Sequence, residues 1–410
     1  MLSEREKLES LAMLGTDLNQ VQDLDILMER VLRRARQFSN ADAGSIYIKK
    51  DHTLHFTYTQ NKTLQSRLSK GEKLVYSTFS MPVNTESIAG YVATTGEVLN
   101  LVDVYKLDPS SPFRFRKQFD MASSYETHSM LTIPLRTARD DILGVLQIIN
   151  AQDSENRITS FSKEDEKLML NFAGIAAVAL ERAQMTRAII LRMIKMAELR
   201  DPKETGAHVN RVAGYSIEIY EKWAQNHDIS EEDIEKHRDI LRMAAMLHDV
   251  GKVAISDLIL KKPARFNNDE YEIMKQHTVL GAQLFLDKQS EFDDAALRVA
   301  LNHHERWDGN GYPGHVDVRT GVPLSNYSQG NGKARGKRAD EIPLYGRIVA
   351  IADVYDALSS KRVYKDAWDE SEVLETIDKD SGTHFDPEIA QIFFDRVDVI
   401  KSIQDRYKDS

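Results

Sequence analysis

The chain of 410 residues contains no cysteine. That absence excludes disulfides, thiolate-ligated zinc, cysteine-held iron–sulfur clusters, a cysteine nucleophile and thioether-linked chromophores. Any metal must be held by His, Asp and Glu. Long apolar runs are missing too: the longest, FAGIAAVAL at 172–180, falls far short of a bilayer. The opening MLSEREKLES is charged and has no apolar signal-peptide core. The expectation is a cytoplasmic protein without membrane insertion. Net positive charge is also lacking. A formal charge of −10 argues against a nucleic acid polymer as partner, while local basic stretches leave room for a small phosphorylated ligand. What the chain does have is length, enough for two domains that each bury a core.

The two halves read differently. Residues 3–38 carry Leu8, Leu11, Leu14, Leu18 and Val21 at spacings of three and four, which predicts a helix. SIYIKKDHTLHFTYT (45–59) predicts two strands around a Lys-Lys-Asp-His turn, and LTIPLR (131–136) with ILGVLQIIN (142–150) predicts another pair. Between them, ESIAGYVATTGEVLNLVDV (86–104) predicts a short helix, a glycine stop and a strand. From about Ser162 to Arg200 the pattern is helical without a Pro or a terminating Gly. A heptad seam of Leu168, Ile175, Ile189 and Met196 with Val178, Met185 and Leu199 is interrupted by Asn171, Arg182 and Arg192. It fits a parallel dimer helix that carries a signal between the halves, or a plain amphipathic helix on its own domain.

The second half is predicted nearly all helical, and its His and acidic residues stand in a distinctive order. Glu204 and His208 are four apart in RDPKETGAHVNRV and share a face if that turn is helical. MLHDVGK brings His248 and Asp249 together and adds Lys252; His277 lies in MKQHTVLG, His303 and His304 open HHERWDGNGYP, and Asp353 follows the apolar run IVAIA. A lone buried His is more often a hydrogen-bonded core residue than a ligand. Five His and three acids, several on faces that should enter a core, are too many for one ion. Neighbouring helix residues diverge by about 100°, so His303 and His304 are expected to serve two different ions, with Asp249 able to bridge. Nitrogen and oxygen ligation suits iron, manganese, nickel or zinc. Glu305 offers either a hydrogen bond to a ligand imidazole or a capping role. Gly309, Gly311 and Pro313 predict a fixed turn that returns Tyr312 towards the ligands. Residues 314–338, with five Lys/Arg against one Asp, fit a basic lid or a solvated insertion.

Two resemblances join these patterns. Residues 8–185 resemble a GAF domain, an α/β sandwich entered and left by helices. Cyclic-nucleotide-binding GAF domains carry Asn-Lys before a Phe and an Asp-Glu pair. Here Ala151 follows Asn150 where a lysine is needed, and Phe161, Asp165 and Glu166 read more simply as a core residue and first-turn acids, so the sensor's small ligand stays open. HD at 248–249, HHE at 303–305 and GYP at 311–313 resemble the HD-GYP family of cyclic di-GMP phosphodiesterases, a branch of the HD phosphohydrolases, over about 190–400. The fold so implied is an N-terminal α/β GAF sandwich (1–185) joined by a long helix to an all-α HD-GYP domain (186–410). The resemblance implies metal ligation by His248, Asp249, His277, His303, His304 and Asp353. Glu204 and His208 match the additional pair of members with three ions in place of two, most often iron, alternatively manganese. It implies phosphate contacts by Lys252, Arg362 and Lys365, and a ligand contact by Tyr312. The expected reaction is hydrolysis of cyclic di-GMP to linear pGpG, with further cleavage to GMP left open, by a homodimer under sensor control. The alternatives are a cyclic di-GMP-binding protein without turnover, or a phosphohydrolase of another cyclic dinucleotide.

Overall fold

The computed structural model describes residues 4–69, 79–198, 206–330, 332–360 and 368–407. Its internal contacts divide the chain into two units, Met1–Arg187 and Ala188–Ser410.

In the first unit the predicted single helix is two, α1 (Glu4–Asn19) and α2 (Leu24–Ser39). The break has a local cause. Asp23 leaves helical geometry and its carboxylate accepts from the backbone N–H groups of Asp25 and Ile26, capping a new helix instead of continuing the old one. Strands β1 (Ala41–Lys50) and β2 (Thr53–Asn61) follow, then α3 (Lys62–Gln65), β3 (Ser80–Pro82), α4 (Ile88–Thr95), β4 (Leu99–Leu101), α5 (Gln118–Ser123), β5 (Met130–Arg136), β6 (Ile142–Gln152) and β7 (Ile158–Thr159). They form one antiparallel sheet in the order β3-β2-β1-β6-β5-β4, with β7 paired to β6. The central strands are buried over nearly their whole length, which explains why LTIPLR and ILGVLQII read as runs and not as alternations. Phe161 is core, and Asp165 caps the next helix through Ser162, so the partial cyclic-nucleotide pattern has a structural explanation here. Asn150 likewise spends its amide on His128 N and Glu126 O.

Helix α6 (Lys163–Glu198) buries Phe172, Ala176, Leu180 and Ala183 on one side. Its other side leaves Val178, Met185, Ile189 and Met196 exposed, all of them seam positions of the heptad. Leu199 lies outside the described residues.

The second unit is helical: α7 (Gly206–Asn226), α8 (Glu231–Met246), α9 (Asp257–Leu260), α10 (Asn268–Lys275), α11 (His277–Gln283), α12 (Glu291–Asn302), α13 (Leu344–Ser359), α14 (Glu370–Lys379), α15 (Pro387–Asp395) and α16 (Val397–Arg406). Tyr215, Leu241, Val299, Ile348, Ile351, Tyr355 and Phe393 anchor its core. Helices α7, α8, α12 and α13 pack around that core and so bring the end of α8, the start of α11 and the end of α12 to one place. Among the described residues no helix is long and apolar enough to cross a membrane.

Candidate metal centre

Each ligand-type residue sits where a helix starts or stops, or faces inward from a buried helix. Helix α8 ends at Met246, and His248 and Asp249 occupy the turn before a 3-10 segment, Val250–Ala254. His277 opens α11, His303 caps the C-terminus of α12, His208 lies in the first turn of α7, and Asp353 lies in α13. The glycine of HDVGK is what lets these ends meet. A Cβ on Gly251 would lie 2.0 Å from the His277 carbonyl oxygen and 2.4 Å from Gly281 N. Gly251→Ala is therefore expected to push α11 and His277 away from Asp249, costing about 1–3 kcal/mol in a denaturant titration and lowering the metal content per chain.

Two groups result. Asp249, His277, His303 and His304 each offer one ligand-type atom, and these lie within 4.8 Å of one another; His208, His248 and Asp353 form a second such group. Asp249 links them, with Oδ1 3.1 Å from His277 Nε2 and 3.5 Å from His303 Nε2, and Oδ2 3.2 Å from His248 Nε2. Asp353 Oδ1 lies 3.6 Å from His208 Nε2 and 3.9 Å from His248 Nε2.

The expectation that His303 and His304 serve separate ions is corrected here. It assumed a continuing helix, but α12 ends at Asn302. Past that end the two rings lie 4.1 Å apart between centroids and fall in the same group. Lys252 is also placed differently from the helical expectation: the 3-10 turn brings its ammonium to Asp249 Oδ2 at 2.7 Å. Glu204, Arg362 and Lys365 lie outside the described residues.

The imidazoles are presented in one tautomer. His248 Nδ1 donates to Ala245 O at 2.8 Å, His277 Nδ1 to Met274 O at 2.7 Å, and His303 Nδ1 to Ala300 O at 3.0 Å. A carbonyl can only accept, so each Nδ1 carries the proton and each Nε2 turns a lone pair inward. His277 Nε2 and His303 Nε2 then face each other at 3.5 Å, with Asp249 Oδ1 beside them. Lone pairs and a carboxylate at these separations repel unless a cation lies among them, and the donor set fits a divalent metal held by nitrogen and oxygen. The protonation states agree. Burial holds His303 below the ordinary imidazole range against the pull of Asp249, and burial with His303 and His277 holds His304 well below it. Burial opposes ionisation of Asp249, but the Lys252 ammonium outweighs it and holds its carboxyl well below the usual range.

His208 is oriented by a residue that the sequence reading passed over. Its Nδ1 donates at 2.8 Å to Asp356 Oδ2, and Asp356 also accepts from Arg211 Nε and Nη2 at 2.6 and 2.9 Å and from the Tyr215 hydroxyl at 3.2 Å. Burial opposes its ionisation, yet the bonds from His208 and Arg211 bring its carboxyl down to about 2. The signal was present: Asp353 and Asp356 are three apart on α13, as are His208 and Arg211 on α7.

The GYP turn closes over the first group. Tyr312 N bonds the carbonyl of His304, and the Tyr312 ring stacks on His304 at 4.8 Å and 30°. A Cβ on Gly311 would meet Arg306 N at 2.3 Å, so only glycine admits this return. Trp307 N and Asp308 N bond the carbonyls of His384 and Thr383, which fixes the turn against the GTHFDP segment.

Glu305 does neither of the things foreseen for it. Buried, it accepts from Gly314 N at 2.6 Å and from Lys337 N at 3.1 Å, fastening both ends of the 314–338 segment beneath the turn. The described residues of that segment are tied to the fold, although most of 319–333 stays exposed. His315 stacks on Tyr327 at 3.8 Å, Arg335 pairs with Glu341 at 2.6 Å, and Val316 and Val318 pack on Val279 and Leu301. Glu305→Ala leaves two backbone donors without their acceptor and is expected to cost about 2–4 kcal/mol, read as a lowered midpoint in urea.

The comparisons follow this division of the chain. The GAF domain family matches residues 23–180 and the HD domain family residues 205–358. The two matches fall on the two units in turn, the GAF match in the first and the HD match in the second. The 3'3'-cGAMP-specific phosphodiesterase 2 of Vibrio cholerae is 34% identical over 221 residues, covering 54% of this chain and 37% of that protein. A cyclic di-GMP phosphodiesterase of the same organism is 35% identical over 226 residues, 54% of this chain and 42% of that protein. The chain thus spans less than half the length of these two curated relatives. Among solved structures, the GAF domain of an Acinetobacter phosphoenolpyruvate-protein phosphotransferase aligns at 16% identity and a TM-score of 0.33, covering 45% of this chain and 97% of that one.

Proposed function

We propose that residues 186–410 form a metal-dependent phosphodiesterase that hydrolyses cyclic di-GMP to linear pGpG, controlled by a GAF sensor in residues 1–185. The observation that carries this reading is the convergence of His277 Nε2, His303 Nε2 and Asp249 Oδ1, with their partners fixing each lone pair inward. Asp249, His277, His303 and His304 would hold one ion, and His208, His248 and Asp353, bridged by Asp249, a second. Glu204 completes a third position in this reading, and iron or manganese suits the donors. Bound divalent cations supply charge neutralisation on the phosphodiester and a water acidic enough to act as nucleophile near neutral pH.

The chain's own residues do the rest. Neutral His303 and His304 and an ionised Asp249 keep their ligand atoms available at neutral pH. Lys252 sets a positive charge at the edge of the site to receive phosphate oxygens, a role the family resemblance extends to Arg362 and Lys365. Tyr312, rigid on His304, gives the nucleotide a wall. The exposed seam of α6 supports association of two copies through that helix, which would pass the sensor's state along one continuous element.

A second substrate has support of its own, since the 3'3'-cGAMP-specific relative and the cyclic di-GMP relative stand at 34% and 35% identity. Incubating the manganese-loaded protein with each dinucleotide and separating products by chromatography tests both. Release of pGpG from cyclic di-GMP over many turnovers supports the reading. Stoichiometric binding without product would make the chain a binding protein, and turnover of 3'3'-cGAMP alone would replace the substrate.

A further inference from the structure

Beside Tyr312 the structure holds a second aromatic ring and a cation that the proposed reaction has not used. Tyr271, on α10, is 45% exposed and meets Tyr312 edge to face at 6.2 Å and 79°. Lys275, one turn along, places its ammonium 4.6 Å from the Tyr271 centroid and 5.4 Å from the Tyr312 centroid. It does not swing freely: Glu272 Oε1 accepts from Lys275 Nζ at 2.9 Å and from Lys333 Nζ, in the 314–338 segment, at 2.6 Å. The segment fastened by Glu305 thus reaches back to fix the cation next to the metal-type cluster. Tyr312 in turn lies against His304 and 6.4 Å from His277.

A solvated lysine and a surface tyrosine need no such arrangement. An exposed ring set at right angles to a rigid one, with an ammonium held over both, is a shelf for a flat, electron-rich partner. Among purines the cation chooses. Guanine presents O6 and N7 together as acceptors, whereas adenine presents N7 beside an N6 donor. An ammonium only donates, so it matches the guanine edge and opposes the adenine edge.

We infer that Tyr271 and Lys275, with Glu272 and Lys333 beside them, form a guanine-selecting subsite in which the base takes the Tyr271 face that the ammonium now covers and Lys275, shifted to the base's edge, donates to its O6 and N7. The inference rests on the reading of the chain as a cyclic dinucleotide phosphodiesterase and deepens it. It assigns the 314–338 segment a positioning role that acts through Glu272.

The test uses the full chain loaded with manganese, comparing kcat/KM for cyclic di-GMP and cyclic di-AMP. Lys275→Met, with Lys275→Gln as a second variant, is expected to narrow the preference for cyclic di-GMP about tenfold. Tyr271→Ala is expected to raise KM for cyclic di-GMP about tenfold, and Tyr271→Phe to bring it back to within about threefold of wild type. Metal content per chain equal to that of wild type certifies each variant as folded. Wild type that turns over neither dinucleotide overturns the underlying phosphodiesterase reading. Wild type that is active, with the preference of both Lys275 variants unchanged and KM of Tyr271→Ala within about twofold, overturns the subsite alone.

Discussion

Asp249→Ala is expected to lower turnover of the cyclic dinucleotide by at least about a thousandfold, since an ion-based site supplies several kcal/mol of the rate enhancement. The size of the effect follows from geometry. One carboxylate faces His277 and His303 through Oδ1 and His248 and Lys252 through Oδ2, so its loss disassembles both ligand groups at once. Removing His304 would leave Asp249, His277 and His303 together and His208, His248 and Asp353 intact, and so should cost less. Elemental analysis checks the order: Asp249→Ala should lose more metal per chain than His304→Ala, while circular dichroism stays helical. Retained turnover in Asp249→Ala would remove the site from the chemistry.

Asp356→Ala should produce the largest loss of stability of any single change at this end of the domain, about 3–5 kcal/mol. Asp356 is 1% exposed and is the counter-charge of the Arg211 guanidinium, itself 3% exposed. Without it a buried cation remains among Tyr215, Tyr355 and the helix packing, and His208 loses the acceptor that fixes its ring. The double variant Arg211→Met with Asp356→Ala removes the buried cation along with its carboxylate and should recover part of the loss in a urea titration, because part of the penalty belongs to a guanidinium that has lost its two bonds to Asp356. It should not recover metal at the second group, since His208 stays unoriented. Equal stability of the single and double variants would show that the pair is not the source of the cost.

The sequence was informative where function depends on residue type and order, and weaker where it depends on where helices end. The order of His and Asp residues along the second half named seven ligand-type positions, His208, His248, Asp249, His277, His303, His304 and Asp353, that the fold gathers into two groups, and alternating or continuous apolar runs located strands β1, β2, β5 and β6. The pairing of His303 and His304 was misread because adjacent residues were assigned helical divergence, while the helix stops one residue before them. The break at Asp23 was missed for the complementary reason: the apolar spacing continues through it, and only a side-chain cap interrupts the helix. Glu305 depends on a partner 32 residues away that no local pattern encodes, whereas Asp356, 145 residues from Arg211, left a trace only in its helical spacing from Asp353. The order in residues 314–338 was hidden likewise, because Lys337, Tyr327 and Arg335 are fixed by contacts that composition does not reveal.

The measurement that most directly tests the central claim is a titration of metal-stripped protein with manganese or ferrous iron, following pGpG released per chain. The account predicts no product from the stripped protein, and activity that rises with added metal and saturates at two or three ions per chain. Full turnover by protein shown to be free of metal, or saturation of the ligand groups with no product formed, would contradict it.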